Sequence, residues 1–524
     1  MISGKVSSWS IWENKQFLTH KGKTGLLFFI LIALVVFERI FTYFNFSILY
    51  TDSDQTLLWQ VAKDLQEGIF HGPCFYGQSY NPVIEPLFSL PLLSAGLNYY
   101  QALPLVTILL STLPFLILSF AFYSKINSMA ASLPLIICLL LPPEYLFLSS
   151  IPRGFVAGVF FAVLGFTIIW FKNSTATKYF GGMLMAFGIY ANPNCILIFP
   201  LIIPLFFYEK KQFYKNLFFL IAGFLTGFFP LLLNYWYYNH HPEMIIHGSP
   251  NLEIKFSTFK NVLGRLDSYF NFVTPIFWKG GWLSLIFFPV IIFRLWKLNL
   301  RLESLTVIVL FVSIFFSFSI AKVGEGTNSI FFSGARMFLA YPFIALFLLF
   351  YFLQTLNESA RKKIYKILIV LSAISFASKI LFFDYFINDS MKGSKNSIVK
   401  IIGIHNLRKN CGEMISFGEG EVDLVMGISG GTPTQPVNYG CGCLLRDFPL
   451  TILPLYERRT WLMPQVMEKV YHKILIHGKD SAAWAGMKIS ELAIKRWDEE
   501  RGWMVVENKL KTEELILKSG IKLY

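Results

Sequence analysis

Tyr50-Thr-Asp-Ser-Asp-Gln-Thr-Leu-Leu-Trp-Gln-Val-Ala-Lys-Asp-Leu65 is the stretch on which the reading of this chain turns. It follows the first long apolar run and opens with two carboxylates, Asp52 and Asp54. Leu57, Leu58, Trp59, Val61, Leu65, Ile69 and Phe70 then recur at helical spacing, which predicts an amphipathic helix lying on a membrane surface and ended by Gly68. Asp54 is expected to cap this helix, because an aspartate side chain accepts the backbone N–H groups that the first turn leaves unpaired. The same residue stands where a general base belongs. A partly desolvated carboxylate at an interface accepts a proton from a hydroxyl or an amine, and Asp52 offers that chemistry from two residues earlier.

Outward from this stretch the chain is mostly apolar. Of its 524 residues 54% are hydrophobic, 17% aromatic and only 15% charged, against about 25% charged in soluble proteins, so lipid is the expected solvent. Runs near the ~20 residues needed to cross a bilayer recur over the first 385 positions. They predict about eleven helical spans, near 24–45, 102–123, 130–149, 154–171, 179–191, 195–208, 217–238, 281–296, 303–321, 337–354 and 364–384. Asn192-Pro-Asn194 interrupts one continuous apolar stretch. The first run is expected to persist as a span, since no small-residue cleavage site follows it.

The net charge of +14 raises nucleic acid as a partner, but the charges are distributed as a topology signal. With the N-terminus in the cytoplasm, the inside segments hold Lys21 and Lys23, Lys125, Lys172 and Lys178, Lys210, Lys211 and Lys215, Arg294, Lys297 and Arg301, and Arg361 to Lys363. The first outside loop is acidic, with Asp52, Asp54, Asp64 and Glu67 against Lys63. This is the positive-inside pattern, and it points to membrane lipids as partners rather than nucleic acid. Residues 1–384 form the expected membrane module. An odd span count puts residues 385–524 outside as a small soluble α/β domain, with Ile415 to Val425 predicted as strands and Ser481 to Trp497 as an amphipathic helix.

Six cysteines are present. Cys138 and Cys195 read as packing residues, and Cys74 sits in the first outside loop. Cys411, Cys441 and Cys443 lie in the outside domain, an oxidising location. A disulfide from Cys411 to Cys441 or Cys443 fits there; Cys-Gly-Cys with a third cysteine also suggests zinc, though no fourth ligand stands at the usual spacing. His240, His241, Glu243 and His247 read as an interfacial belt rather than a divalent-metal site, because Pro242 breaks the helical spacing a metal site needs. Gly427-Ile-Ser-Gly-Gly431 reads as a turn. Glu38-Arg39, near the outer end of the first span, reads as a pair supporting a nearby site.

The first outside loop, Thr51 to Glu85, is longer than a simple connection requires, and several of its motifs carry a resemblance. Asp54-Gln-Thr-Leu-Leu-Trp-Gln-Val-Ala-Lys-Asp-Leu65 resembles the Asp-Glu-x-x-Tyr-x-x-x-Ala-x-x-Leu opening of the first loop in GT-C glycosyltransferases, above all the bacterial protein mannosyltransferase and aminoarabinose transferase-like members. Phe75-Tyr-Gly-Gln-Ser-Tyr80 with Glu85-Pro-Leu resembles the segment that follows. Gly181 to Gly188, Gly223 to Asn234, and Ser333-Gly-Ala-Arg-Met-Phe-Leu-Ala-Tyr-Pro342 resemble later helices. The likeness covers roughly residues 20–385. Gln55 replaces the second acid, Leu58 the tyrosine, and Met337 the aromatic after Arg336.

The resemblance implies a polytopic enzyme of the bacterial inner membrane. It would move a sugar, with inversion, from a polyprenyl-phosphate donor to a lipid, glycan or protein acceptor, without a cofactor. Asp54 would be the base, with Asp52 as the alternative. Arg336 leads the candidates for holding the donor phosphate; Lys63, Arg153, Arg265 and Lys322 follow. Glu85 would orient the loop or a sugar hydroxyl. Tyr76 and Tyr80 would stack on a sugar or anchor in the headgroup belt. A flippase of lipid-linked glycans and an O-antigen polymerase or ligase are rival readings of the same composition. A flippase would favour internal repeats, which are not evident, and a polymerase a large loop late in the chain.

Overall fold

The computed structural model describes residues 23–172, 174–207, 212–247, 252–326, 330–331, 333–392, 402–418, 422–428, 450–452, 467–478, 484 and 487–520. Among these, Gly25–Ser47, Tyr99–Lys125, Phe213–His240 and Glu358–Leu381 are long and apolar enough to cross a membrane, and shorter apolar helices pack among them. The centre of the bundle is Tyr341–Gln354 and Ser128–Leu140, apolar around almost their whole circumference and buried accordingly.

Several expected spans are broken, and the breaks have local causes. The stretch 130–149 is two helices, Ser128–Leu140 and Pro143–Leu148, because Pro142 and Pro143 supply no N–H to continue the ladder. The carbonyls left at the end of the first are claimed from elsewhere. Lys379 Nζ donates to the Leu139 and Leu141 oxygens at 2.8 and 3.2 Å, and Trp278 Nε1 donates to Leu140 at 2.9 Å. A cation at a helix C-terminus is favoured by the helix dipole. Lys379 is fully buried and pairs with Glu38 at 2.5 Å. Arg39 donates instead to Ser149 Oγ at 2.9 Å and stacks over Tyr145. Glu38 and Arg39 therefore bind other helices rather than each other. Asn192-Pro193 ends Thr175–Ala191, and the chain continues as the 3-10 segment Pro193–Ile202 and the short helix Ile203–Phe207.

Glycines set the spacing of the next layer. A Cβ on Gly165 would lie 2.5 Å from the Gly181 carbonyl oxygen, and one on Gly188 would lie 2.7 Å from that of Gly158. Gly223 and Gly227 press equally closely on the backbone at Tyr179 and Met183. Phe155–Phe171, Thr175–Ala191 and Phe213–Gly227 thus touch backbone to backbone, the small-residue packing that helices use where lipid removes the hydrophobic drive.

At one end of the bundle sits a five-stranded sheet, in the order Leu450–Ile452, Leu424–Ile428, Lys473–Gly478, Trp503–Glu507, Ala493–Asp498. The first three strands are parallel, and Trp503–Glu507 runs antiparallel to both its neighbours. Two local expectations are corrected here. Residues 404–417 form a helix, so the predicted strands at Ile415 to Val425 reduce to the strand beginning at Leu424. Ala493–Asp498 is a strand rather than the end of a helix, because its backbone is taken up by antiparallel pairing with Trp503–Glu507. Ser429 to Gly431 lie outside the described residues.

The loop helix, Ser53–Gln66, is buried rather than laid on a membrane surface. Leu57, Leu58, Trp59, Val61 and Ala62 join one apolar cluster with Ala102 and Leu103 of the bundle and Ile404, Leu407, Cys411 and Met414 of the sheet region. Just before it, Tyr50 and Thr51 pair antiparallel with Gly403 and Ile402, and Ile404 N–H donates to Leu49 at 2.6 Å. Gly68 stops the helix as expected, with φ at 76°. Cys411 is buried and disulfide-bonded; its two candidate partners, Cys441 and Cys443, lie outside the described residues.

Candidate active site

Asp52, not Asp54, caps the loop helix. Its backbone is extended, with φ at −132°, and its Oδ1 accepts the Gln55 N–H at 3.0 Å. Asp54 falls in the first turn, where the helix dipole favours a carboxylate, and its side chain is 41% exposed while that of Asp52 is 0%. One residue joins the two. The Arg153 guanidinium forms a close ion pair with Asp52 and lies 3.5 Å from Asp54 Oδ2. Asp52 is thus committed to a cap and an ion pair, and Asp54 faces open space.

That space is a cavity of about 1170 Å³. Its polar end gathers Asp54, Arg153, Arg336, Lys322 and Tyr80 with the amides Gln78, Asn81, Asn192, Asn194 and Asn234. Away from them the wall is apolar: Ile196, Phe199, Ile203 and Phe207 on one side, and Leu220, Leu231, Val312 and Phe316 on others. The broken helix from Pro193 to Phe207 lines the cavity along its length. Its ten 3-10 residues and five α residues extend for about 28 Å, close to the ~30 Å hydrocarbon thickness of a bilayer. The volume exceeds the range of ~300–1,000 Å³ typical of small-molecule pockets.

Arg336 is buried on the turn Gly334–Phe338, with its guanidinium 5.3 Å from the Phe155 ring centre. Burial works against its charge and prevails, with Asp54, Glu325 and Tyr80 offsetting only part of the loss. Lys322 Nζ pairs with Glu325 at 2.6 Å and stands 5.6 Å from the Tyr80 ring centre. The site therefore presents three cations at one rim.

The remaining predicted residues sit elsewhere. Tyr76 does not line the cavity; its hydroxyl donates to Asp64 at 2.8 Å. Gln60 donates to the same carboxylate at 2.7 Å and His71 lies 3.9 Å away. Burial still pushes Asp64 above the usual carboxylate range, against the pull of these partners. This network ties the loop helix to the turn that delivers Gln78 to Asn81. Glu85 is buried behind the wall, accepting from the Gly154 N–H and from Thr107 Oγ1 at 3.3 Å. Lys63 is half-buried in the last turn of the loop helix, and Arg265 is exposed and donates to the Gly326 carbonyl at 2.6 Å; neither lines the cavity. His241 meets Glu243 at 3.3 Å on the surface. The sequence placed a break at Asn192-Pro-Asn194 but did not mark the cavity amides or the broken helix as cavity wall.

A helix bundle with a buried first-loop helix, a carboxylate at the mouth of a long cavity and a small sheet region at the same end is a fold shared with solved structures of ArnT. The solved structures it matches include ArnT from Cupriavidus metallidurans bound to undecaprenyl phosphate, at 12% identity and a TM-score of 0.56 over 94% of this chain and 99% of that one. The apo state of the same protein matches at 11% identity and a TM-score of 0.57 over 92% and 98%. No protein-family model matches the chain, and no curated protein does.

Proposed function

We propose that the chain is a membrane glycosyltransferase that takes a sugar from a polyprenyl-phosphate donor in the outer leaflet of the bacterial inner membrane. The cavity carries the reading. A cationic rim beside a long apolar wall suits a phosphate joined to an isoprenoid chain, and the matched ArnT structure holds undecaprenyl phosphate. Arg336 and Lys322 bind the phosphate, and the amides Asn81, Asn192 and Asn194 face the sugar hydroxyls.

Asp54 is the base. It removes the proton from an acceptor hydroxyl or amine as that atom bonds to the anomeric carbon. The bond from this carbon to the phosphate oxygen breaks, and its electron pair leaves with the polyprenyl phosphate. Attack in line with the leaving group inverts the centre. The leaving group is already a stable anion, so the cations take the place of a general acid, and no cofactor enters the scheme. The acceptor is a lipid, glycan or protein on the same face, where the sheet region also lies.

The test is Asp54→Asn in proteoliposomes with a labelled polyprenyl-phosphate sugar. Donor binding is expected to persist while transfer falls by about 10²–10⁴-fold, the range for a lost acid–base group. Unchanged turnover would remove Asp54 from the chemistry. Donor movement across the bilayer without covalent product would replace the transferase with a flippase.

A further inference from the structure

Arg153 is the one cavity-lining cation that both Asp52 and Asp54 reach among the described residues, and its backbone is held as firmly as its side chain. The holder is Glu85, 1% exposed, in the first turn of Ile84–Ser94. Its carboxyl accepts the Gly154 N–H, a backbone hydrogen bond from Arg153 and the Thr107 hydroxyl. Gly154 has φ at 79°, a left-handed conformation that a side chain would strain. The Arg153-Gly154 turn is therefore built around a buried acceptor that reaches it from another helix.

We propose that Glu85 is a positioning residue, which fixes the Arg153 turn so that the guanidinium stays on Asp54 as well as Asp52. The proposal rests on Asp54 being the base. Arg153 is anchored at two points: Asp52 holds the guanidinium and Glu85 holds the backbone. With the backbone anchor removed, the guanidinium follows the closer ion pair with Asp52 and withdraws from Asp54. Asp54 then loses a neighbouring cation and its orientation together. Arg153, Asp52, Arg336, Lys322 and Tyr80 are the titratable groups around Asp54 at this rim, and Glu325 acts behind Arg336. Of these, Arg153 alone has its backbone held by Glu85. A fixed Arg153 braces the base, which leaves Arg336 and Lys322 to hold the donor phosphate.

The experiment compares Glu85→Ala, Glu85→Gln and Gly154→Ala in the full-length protein, reading kcat, donor KM and the acidic limb of the kcat pH profile. Glutamine keeps an oxygen that accepts the Gly154 N–H, so Glu85→Gln is expected to stay within about 5-fold of the parent kcat. Glu85→Ala is expected to lose about 10–100-fold in kcat, the cost of an ångström-scale misplacement, with donor KM changed less than about 3-fold. Its acidic limb moves upward by about half a unit or more, since a carboxylate that loses a nearby cation becomes more basic. Gly154→Ala strains the same turn from the other side and moves the limb the same way, which decides the matter if Glu85→Ala does not fold. An unmoved limb, a change confined to donor KM, or a Glu85→Gln defect equal to that of Glu85→Ala would each overturn the positioning role. Failure of the base assignment is separable: Asp54→Asn would then retain turnover, whatever Glu85 does.

Discussion

Arg153 pairs with Asp52 inside the protein while its second guanidinium nitrogen stands 3.5 Å from Asp54. Two carboxylates two residues apart are thereby given different work by one arginine. Asp52→Ala removes both the helix cap and the buried counter-ion. A lost cap costs about 1 kcal/mol, and a buried charge left without its partner about 3–5 kcal/mol. Asp52→Ala is expected to unfold at markedly lower temperature than Asp54→Ala in the same detergent. Equal melting points for the two variants would contradict this division.

Arg336 carries the heaviest demand at the donor rim. Hydrogen bonds to charged groups are worth about 1.5–3 kcal/mol, so Arg336→Ala is expected to weaken polyprenyl-phosphate binding by about 10–100-fold. Acceptor KM should move much less. Equilibrium binding of the phosphate lipid would show it, and unchanged affinity would take Arg336 out of the donor site.

Glu85 makes stability depend on pH. Burial raises its carboxyl from 4.5 to about 7 in the folded protein, against the pull of its hydrogen bonds to Gly154, Thr107 and Arg153. The folded state thus holds a proton that the unfolded chain has already released. Its stabilising contribution is complete below about pH 4.5 and declines as pH rises toward 7. Glu85→Gln removes this slope. Melting temperatures recorded from pH 4.5 to 8 should fall with pH in the parent relative to the glutamine variant; parallel curves would refute the shift.

Backbone contact between helices predicts intolerance at Gly165. A methyl group there would lie 2.5 Å from the Gly181 oxygen, and overpacking of this kind costs about 1–3 kcal/mol. Gly165→Ala is expected to lower the unfolding midpoint, whereas Gly25→Ala, with nothing within 4 Å, should not. A similar midpoint for both variants would argue against the close packing.

Much of this protein is legible in one dimension. Composition and the recurrence of apolar runs determine a polytopic helical fold, since hydrocarbon obliges each segment to satisfy its own backbone hydrogen bonds. The Asp52-Ser-Asp54 stretch lies at the cavity mouth, as two carboxylates just past a span must sit outside the hydrocarbon. Asn192-Pro-Asn194 announced a break, though not that the broken helix would line the cavity. Tertiary structure decided the rest. Which aspartate caps the loop helix depends on a two-residue difference in where the helix begins. Which carboxylate is buried in a close ion pair and which lines the cavity depends on Arg153, a hundred positions away. The loop helix looked suited to a membrane surface, but Leu57, Trp59 and Val61 are satisfied equally by the helix Ile404–Phe417. An apolar face specifies that it must be covered and not by what. Glu85, read as orienting the loop or a sugar hydroxyl, faces the Arg153-Gly154 turn, because hydrogen-bond acceptance is set by where the chain places the donor.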